Sequence, residues 1–199
     1  MALPFVTIGH SNRSLEEFVA LLNGVGIDLV TDIRKVPMSR ANPQFNQDRL
    51  RGEVPMSRAN PQFNQDRLRG ALSVFRISYE YVSALGGLRG RTPGLPPDIN
   101  GFWTNQSFHN YADYALSPQF HAGIELLLHQ RERRCAIMCS EALWCRCHRR
   151  IVADYLVAVG ETVFHILGQG RLVPARLTEG AVVQPGGKVI YPARNELDP

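Results

Sequence analysis

All four cysteines of the chain, with a glutamate, a histidine and three arginines, are concentrated in Cys135-Ala-Ile-Met-Cys-Ser-Glu-Ala-Leu-Trp-Cys-Arg-Cys-His-Arg-Arg150. Three chemistries compete for these side chains. Cys139 and Cys147 are candidate nucleophiles, because a thiolate at a helix amino terminus beside arginine and histidine has a depressed pKa. The loop of phosphatases and rhodaneses, however, sets cysteine and arginine six positions apart; six after Cys139 stands Cys145, and six after Cys145 stands Ile151. That spacing fails. A metal site can be drawn from Cys145, Cys147 and His148, but a structural zinc site takes four ligands. None of the other five histidines stands in a recognisable spacing with cysteine, so no metal ligands are expected. The third chemistry needs no protein nucleophile: Glu141 as general base, His148 or His10 as acid, and Arg34 with Arg149 clamping a phosphate. On the residues alone this third reading is preferred. Cys139 then packs at the end of the apolar run Ala136-Ile-Met138, and Cys147 orients the loop before His148 and Arg149.

These side chains need elements to hold them. Cys135 to Met138 reads as a buried strand, and Ile151, Val152, Tyr155, Leu156 and Val159 recur at helical spacing, so the segment is strand, polar loop, helix. In an open α/β sheet that loop lies at the carboxyl edge, where helix N–H groups and the helix dipole favour an anion. Phe5-Val-Thr-Ile-Gly9 reads as a first strand followed by His10-Ser-Asn-Arg-Ser14; Ser14 and Glu17 form a capping-box pattern for a helix ending at Gly24 and Gly26. Asp28 to Ile33 is a second strand that delivers Asp32 and Arg34 to the same edge as His10, Ser11 and Asn12. Ser73 to Tyr81 reads as a third strand, and Leu85-Gly-Gly-Leu-Arg-Gly-Arg-Thr-Pro-Gly94 as a glycine-rich turn, either a plain loop or a backbone surface for an anion. Tyr111 to Leu116 and Pro118 to Gln130 give one broken helix or two, with Ser117 capping the second. Glu161 to Leu167 reads as the last core strand, and Ala175 to Tyr191 as a terminal hairpin about Gln-Pro-Gly-Gly. The fold class expected is a single α/β domain with an open, mostly parallel sheet, helices on both faces and a C-terminal β-hairpin.

The alternation is interrupted once. Val36 to Gly52 recurs unchanged as Val54 to Gly70, with only Glu53 between the copies. Two identical copies are not a solenoid, whose repeats diverge and number about three or more. One copy suffices to connect Arg34 to Ala71, so the other is expected to be a surface excursion, here assigned to residues 53–70.

Composition narrows the function classes. A 44% apolar and 20% charged chain is ordinary for a globular protein, and no apolar run approaches a membrane span. Met1-Ala-Leu-Pro-Phe-Val-Thr-Ile has no basic leader region, and clustered cysteines suit a reducing compartment, so a cytoplasmic location is expected. A net charge of +4, with arginines gathered at 131–134 and 146–150, favours a phosphate-bearing small molecule over nucleic acid, and no membrane partner.

Thr7-Ile-Gly-His-Ser-Asn-Arg13, Asp32-Ile-Arg34, one copy of Pro-x-Ser-Arg-x-Asn-Pro-Gln-Phe-Asn, Leu85-Gly-Gly-Leu88, Tyr111-Ala-Asp-Tyr114, Cys139-Ser-Glu141 and Cys147-His-Arg149 together resemble the domain of unknown function 488 family, in order and across nearly the whole chain. The resemblance implies an α/β fold and puts His10, Ser11, Asp32, Arg34, Cys139, Glu141, Cys147, His148 and Arg149 at motif positions. It supplies no activity and no cofactor. The duplicated segment departs from the family pattern, as does Cys145, where similar sequences more often carry an aromatic residue. The sequence thus points to an uncharacterised α/β enzyme, a hydrolase or transferase, acting on a phosphate-containing small molecule or nucleotide. The alternatives are a non-catalytic nucleotide- or nucleic-acid-binding module, and a cysteine- or zinc-dependent enzyme. Catalytic candidates are Glu141, His148, Asp32, His10, Cys139 and Cys147; ligand-binding candidates are Ser11, Asn12, Arg34 and Arg149.

Overall fold

A computed structural model describes residues 2–35 and 61–193. The strands are β1 (Phe5–Gly9), β2 (Leu29–Asp32), β3 (Ser78–Tyr81), β4 (Cys135–Cys139), β5 (Val163–Gly168), β6 (Arg171–Pro174), β7 (Val182–Val183) and β8 (Val189–Ile190). The helices are α1 (Leu15–Asn23), α2 (Gln65–Val74), α3 (Gln106–Ala115), α4 (Pro118–Leu128) and α5 (Arg149–Ala158). The main sheet runs β3-β2-β4-β1-β5-β6; its first five strands are parallel and β6 is antiparallel to β5. β7 and β8 form the C-terminal hairpin.

Strand residues alternate between two apolar layers, as a sheet covered on both faces requires. Val6, Val30 and Met138 pack with Phe18 and Leu22 of α1 and Leu68 and Leu72 of α2. Phe5, Leu29 and Ile137 point the other way, onto Phe120 and Ile124 of α4 and Ile151, Val152 and Tyr155 of α5. Helix ends follow local chemistry. Ser14 and Glu17 close a reciprocal capping box on α1, and Ser117 accepts from the Phe120 N–H with Pro118 in the first turn of α4.

This layering places the site. β4 lies between β1 and β2, so β1 and β4 are neighbours. The helix after β1 covers one face and the helix after β4 the other. Loops leaving adjacent parallel strands toward opposite faces open a crevice at their carboxyl ends, the topological switch point of doubly wound sheets.

One expectation is corrected, one alternative is decided and one strand is added. Ser73, Val74 and Phe75 do not begin a strand: α2 continues through Val74 because Leu68 and Leu72, one turn apart, are both fully buried, and the chain turns at Arg76 with φ 58° before β3 starts at Ser78. The two helical pieces before β4 are separate helices, with the first beginning earlier at Gln106, capped by the Asn105 side chain. An antiparallel edge strand, β6, follows β5; Leu172 and Val173 pair with Ile166 and His165.

Of the duplicated segment, the described part belongs to the second copy. Pro61–Phe63 forms a 3-10 turn and Gln65–Gly70 opens α2, with Phe63 and Leu68 fully buried. Of residues 53–70, assigned from the sequence to a surface excursion, 53–60 lie outside those described, and 61–70 are the packed turn and helix start just given.

Candidate functional site

Two polar groupings occupy the carboxyl edge of the sheet. The first joins the ends of β1, β2 and β3. The Asp32 carboxylate is fully buried and accepts from Arg34 Nε at 2.9 and 3.0 Å, from Arg34 Nη2 at 2.5 Å and from the Tyr79 hydroxyl at 2.6 Å. This fork-on-carboxylate geometry is the strong form of an ion pair, and burial removes the water that would weaken it. Burial opposes the Arg34 charge, but Asp32 and Tyr79 outweigh it and hold the guanidinium above its ordinary pKa. Tyr79 is pushed far above the usual phenol range, by burial first and then by Asp32.

His10 completes this grouping. Its Nδ1 bonds the Ser11 carbonyl at 2.7 Å, which requires that nitrogen to carry the proton and leaves Nε2 to accept from Arg34 Nη1 at 3.4 Å. Burial, reinforced by the Arg34 charge, lowers its pKa to about 3, so the ring is neutral. Phe63 stacks on it with centroids 4.1 Å apart. Ser11, at φ 51°, and Asn12 hydrogen-bond each other at 3.2 Å beside this grouping.

The second grouping is carried by the loop from β4 to α5. Gly9 makes room for it: a Cβ there would lie 1.9 Å from the Glu141 carbonyl oxygen, so only glycine lets the loop cross the end of β1. The fully buried Arg149 holds the loop from inside, donating from Nη2 to the Glu141 carbonyl at 2.5 Å and from Nε to Cys147 Sγ at 3.3 Å. Glu141 is half-buried and its Oε1 accepts from the Leu143 N–H at 3.2 Å. His148 Nε2 donates to the Ile33 carbonyl at 3.0 Å; its Nδ1 is thereby the free lone pair and faces Cys147 Sγ at 3.6 Å and Cys139 Sγ at 3.9 Å. A Cβ on Gly87 would lie 2.7 Å from that Nδ1, and the Tyr111 ring packs 4.9 Å from the imidazole on another side. The glycine-rich turn is therefore a wall of the histidine's slot.

The two sulfurs are unequal. For Cys147, burial works against ionisation but is outweighed by the Cys139 thiol and the Arg149 charge, and its pKa falls to about 6. Cys139 is pushed up to about 12, first by its bond to Cys147 and then by burial. Arg149 Nε aimed at Cys147 Sγ is the geometric reason that the thiolate is favoured at Cys147 over Cys139. Cys135 sits deep in β4 against Thr31 Oγ1 at 3.2 Å, and Cys145 is exposed.

A pocket of about 270 Å³ opens onto this second grouping. Cys139, Glu141, Cys147 and His148 line it, and Arg34, Lys35 and Arg146 supply positive charge. Of the ten candidates read from the sequence, five therefore meet at the pocket: Cys139, Glu141, Cys147, His148 and Arg34. His10, Asp32 and Arg149 lie behind it as buried supports, and Ser11 and Asn12 are not among its lining residues. Phe63, Tyr79 and Lys35 escaped sequence reading, while Gly87 and Tyr111 lay in quoted motifs but had no site role assigned. The metal-type cluster is also not the one drawn from spacing: Cys139, Cys147 and His148 bring their ligand atoms within 4.8 Å of one another, whereas Cys145 faces solvent.

Among known protein families, a model described as "Domain of unknown function DUF488" matches residues 14–54 and 52–156. The chain belongs to this family. The two matches overlap at residues 52–54, inside the duplicated stretch. No curated protein and no solved structure matches the chain.

Proposed function

We propose that this protein is an enzyme acting on a small phosphate-bearing molecule, of the nucleotide class, with Glu141 as general base in a hydrolytic or transfer reaction. The observation that carries the reading is the composition of the pocket: a reactive floor of Cys139, Glu141, Cys147 and His148 under a wall bearing three cations, Arg34, Lys35 and Arg146. The volume of about 270 Å³ is at the small end for ligand pockets and suits a small molecule better than a polymer. Arg34 and Arg149 are both engaged internally, so the phosphate falls to Lys35 and Arg146, which are exposed at the mouth. Lys35 Nζ already points at this loop, donating to the Leu88 carbonyl at 2.5 Å. Glu141 takes the proton of an attacking water or hydroxyl as its oxygen bonds to phosphorus. The phosphorus–oxygen bond to the leaving group breaks, that oxygen departs with the electron pair and is protonated by solvent, and the cations offset charge gathering on the phosphoryl oxygens.

Calorimetric titration with inorganic phosphate and a panel of nucleoside mono-, di- and triphosphates tests this. Wild type is expected to bind at least one of them, and Lys35→Ala with Arg146→Ala to weaken it about tenfold or more. Glu141→Gln is expected to keep affinity while lowering turnover of the same compound by about a hundredfold. Failure of every phosphate compound to bind sinks the proposal. Binding with no turnover by wild type moves the protein to the non-catalytic binding class.

A further inference from the structure

The floor of the pocket has the geometry of a metal centre. We propose that Cys139 Sγ, Cys147 Sγ and His148 Nδ1 coordinate one thiophilic divalent cation of the zinc class, with a fourth position open to the pocket. The inference deepens the enzymatic reading above and can fail separately from it.

Ligand spacing is the first support. A tetrahedral ion with metal–sulfur bonds of about 2.3 Å and metal–nitrogen bonds of about 2.0–2.1 Å sets nitrogen-to-sulfur edges of roughly 3.5–3.6 Å and a sulfur-to-sulfur edge of roughly 3.8 Å. The observed edges from His148 Nδ1 are 3.6 Å to Cys147 and 3.9 Å to Cys139. All three ligand atoms lie within 4.8 Å of one another. The edge to Cys147 already matches the ideal and the edge to Cys139 exceeds it by about 0.3–0.4 Å.

The surroundings are the second support. A metal-bound histidine characteristically gives its other ring N–H to a carbonyl or carboxylate, which fixes the tautomer and aims the lone pair. His148 does this through Nε2 to the Ile33 carbonyl at 3.0 Å, and Gly87 and Tyr111 hold the ring in place. Cys147 receives an N–H from Arg149 at 3.3 Å, the contact that steadies a metal-bound thiolate. Two thiolates and a dication form a neutral unit, which suits sulfurs that are 6% and 3% exposed.

Openness is the third. Structural zinc sites are closed by four protein ligands, whereas catalytic ones keep three and a vacant position for water or substrate. Cys139, Cys147 and His148 are three, and all of them line the pocket. Glu141 lines the same pocket, a carboxylate that could take the proton of a water such an ion activates. The set is invisible to sequence spacing because one ligand ends β4 and the other two stand just before α5, across a loop whose own cysteine, Cys145, is exposed.

Elemental analysis of full-length protein purified without chelators tests the proposal, read together with Co(II) substitution. Wild type and Cys145→Ser are expected to carry about one equivalent of zinc, while Cys139→Ser and His148→Ala lose it, with far-ultraviolet circular dichroism checking the fold. Should those variants fail to fold, metal-stripped wild type titrated with Co(II) carries the test. It should develop thiolate-to-cobalt charge transfer and the intense visible bands of a tetrahedral ion, saturating at one equivalent. Wild type that holds no metal and shows no charge transfer with Co(II), while its buried thiols are alkylated at equal rates with and without chelator, overturns the proposal in favour of a free thiol pair. Phosphate binding, measured as above on the same protein, reports on the enzymatic reading independently.

Discussion

The ends of β2 and β4 carry similar inventories of charged and polar groups, yet one is closed and the other open. At the end of β2, Asp32, Arg34, Tyr79 and His10 satisfy one another: the carboxylate is forked by the guanidinium and capped by a phenol, and the histidine is neutral between a carbonyl and the arginine. At the end of β4, the His148 Nδ1 lone pair, two sulfurs and the Glu141 carboxylate face a pocket. A polar group fully paired inside protein has little left to offer a ligand, whereas one held in place by its other side and left unpaired in front is ready for one. Equal polarity on one rim thus divides into a support and a working surface.

The difference can be broken most severely from the closed side. Asp32→Ala leaves the Arg34 charge buried without its partner and is expected to cost about 3–5 kcal/mol, read as a fall in urea midpoint or outright loss of folding. If stability hardly changes, the network is not the support described.

Acidification sharpens the contrast, since it acts on buried neutral histidines. His165 bonds Thr7 Oγ1 at 2.8 Å, stacks on Trp144 at 4.2 Å, and is held down to about 4, chiefly by burial and then by Arg149. Its folded pKa is below the unfolded value, so the unfolded chain takes up a proton first as pH falls under about 6.5. Stability is then lost progressively to about pH 4, by up to roughly 3 kcal/mol for this one group. His165→Gln should flatten that part of the stability curve; an unchanged slope between pH 6.5 and 4 counts against a buried neutral ring.

On the open side the expected effect is on rate. Glu141→Gln should lower turnover by about a hundredfold, near 2.7 kcal/mol of barrier, with a melting temperature close to wild type. A large drop in melting temperature instead assigns Glu141 to the scaffold.

Smallest is the effect of removing one copy of the duplication. Because the copies are identical, deleting residues 53–70 or 36–53 yields the same chain, in which one Phe-Asn-Gln-Asp-Arg-Leu segment remains to fill the place of Phe63 and Leu68. The expected change is stabilising and about 1 kcal/mol or less, from a shorter loop to close. Unfolding of the shortened chain shows that both copies are structural.

Sequence patterning made the sheet, both helical layers and the hairpin legible because period-2 and period-3.6 apolar spacing, together with the Ser14 and Ser117 caps, is local information. It also put the chemistry-bearing loops on one edge, since parallel strands deliver their ends together. It misread Ser73–Phe75, where β-forming residues are overruled by Leu68 and Leu72 anchoring a helix. The partition of the site was illegible for a different reason. Arg34 looks like a phosphate clamp until Tyr79 and Asp32 are seen to hold it, and Cys139 looks like filler until His148 is placed across the pocket from it. Those pairings are fixed by tertiary contact alone.

The position of β4 in the sheet also bears on when the protein becomes competent. β1 and β2 do not touch: each pairs with β4, which is synthesised long after both. Until residues 135–139 arrive, the nascent chain holds at most two separate fragments, β1 with its helix and the β2-β3 pair, each with an unsatisfied strand edge. The insertion that seals those edges brings Glu141 across Gly9 and the sulfurs toward His148 in the same movement. Sheet closure and site assembly are one late event. Chains truncated before β4 are therefore expected to aggregate through those edges, read as loss to the insoluble fraction on expression.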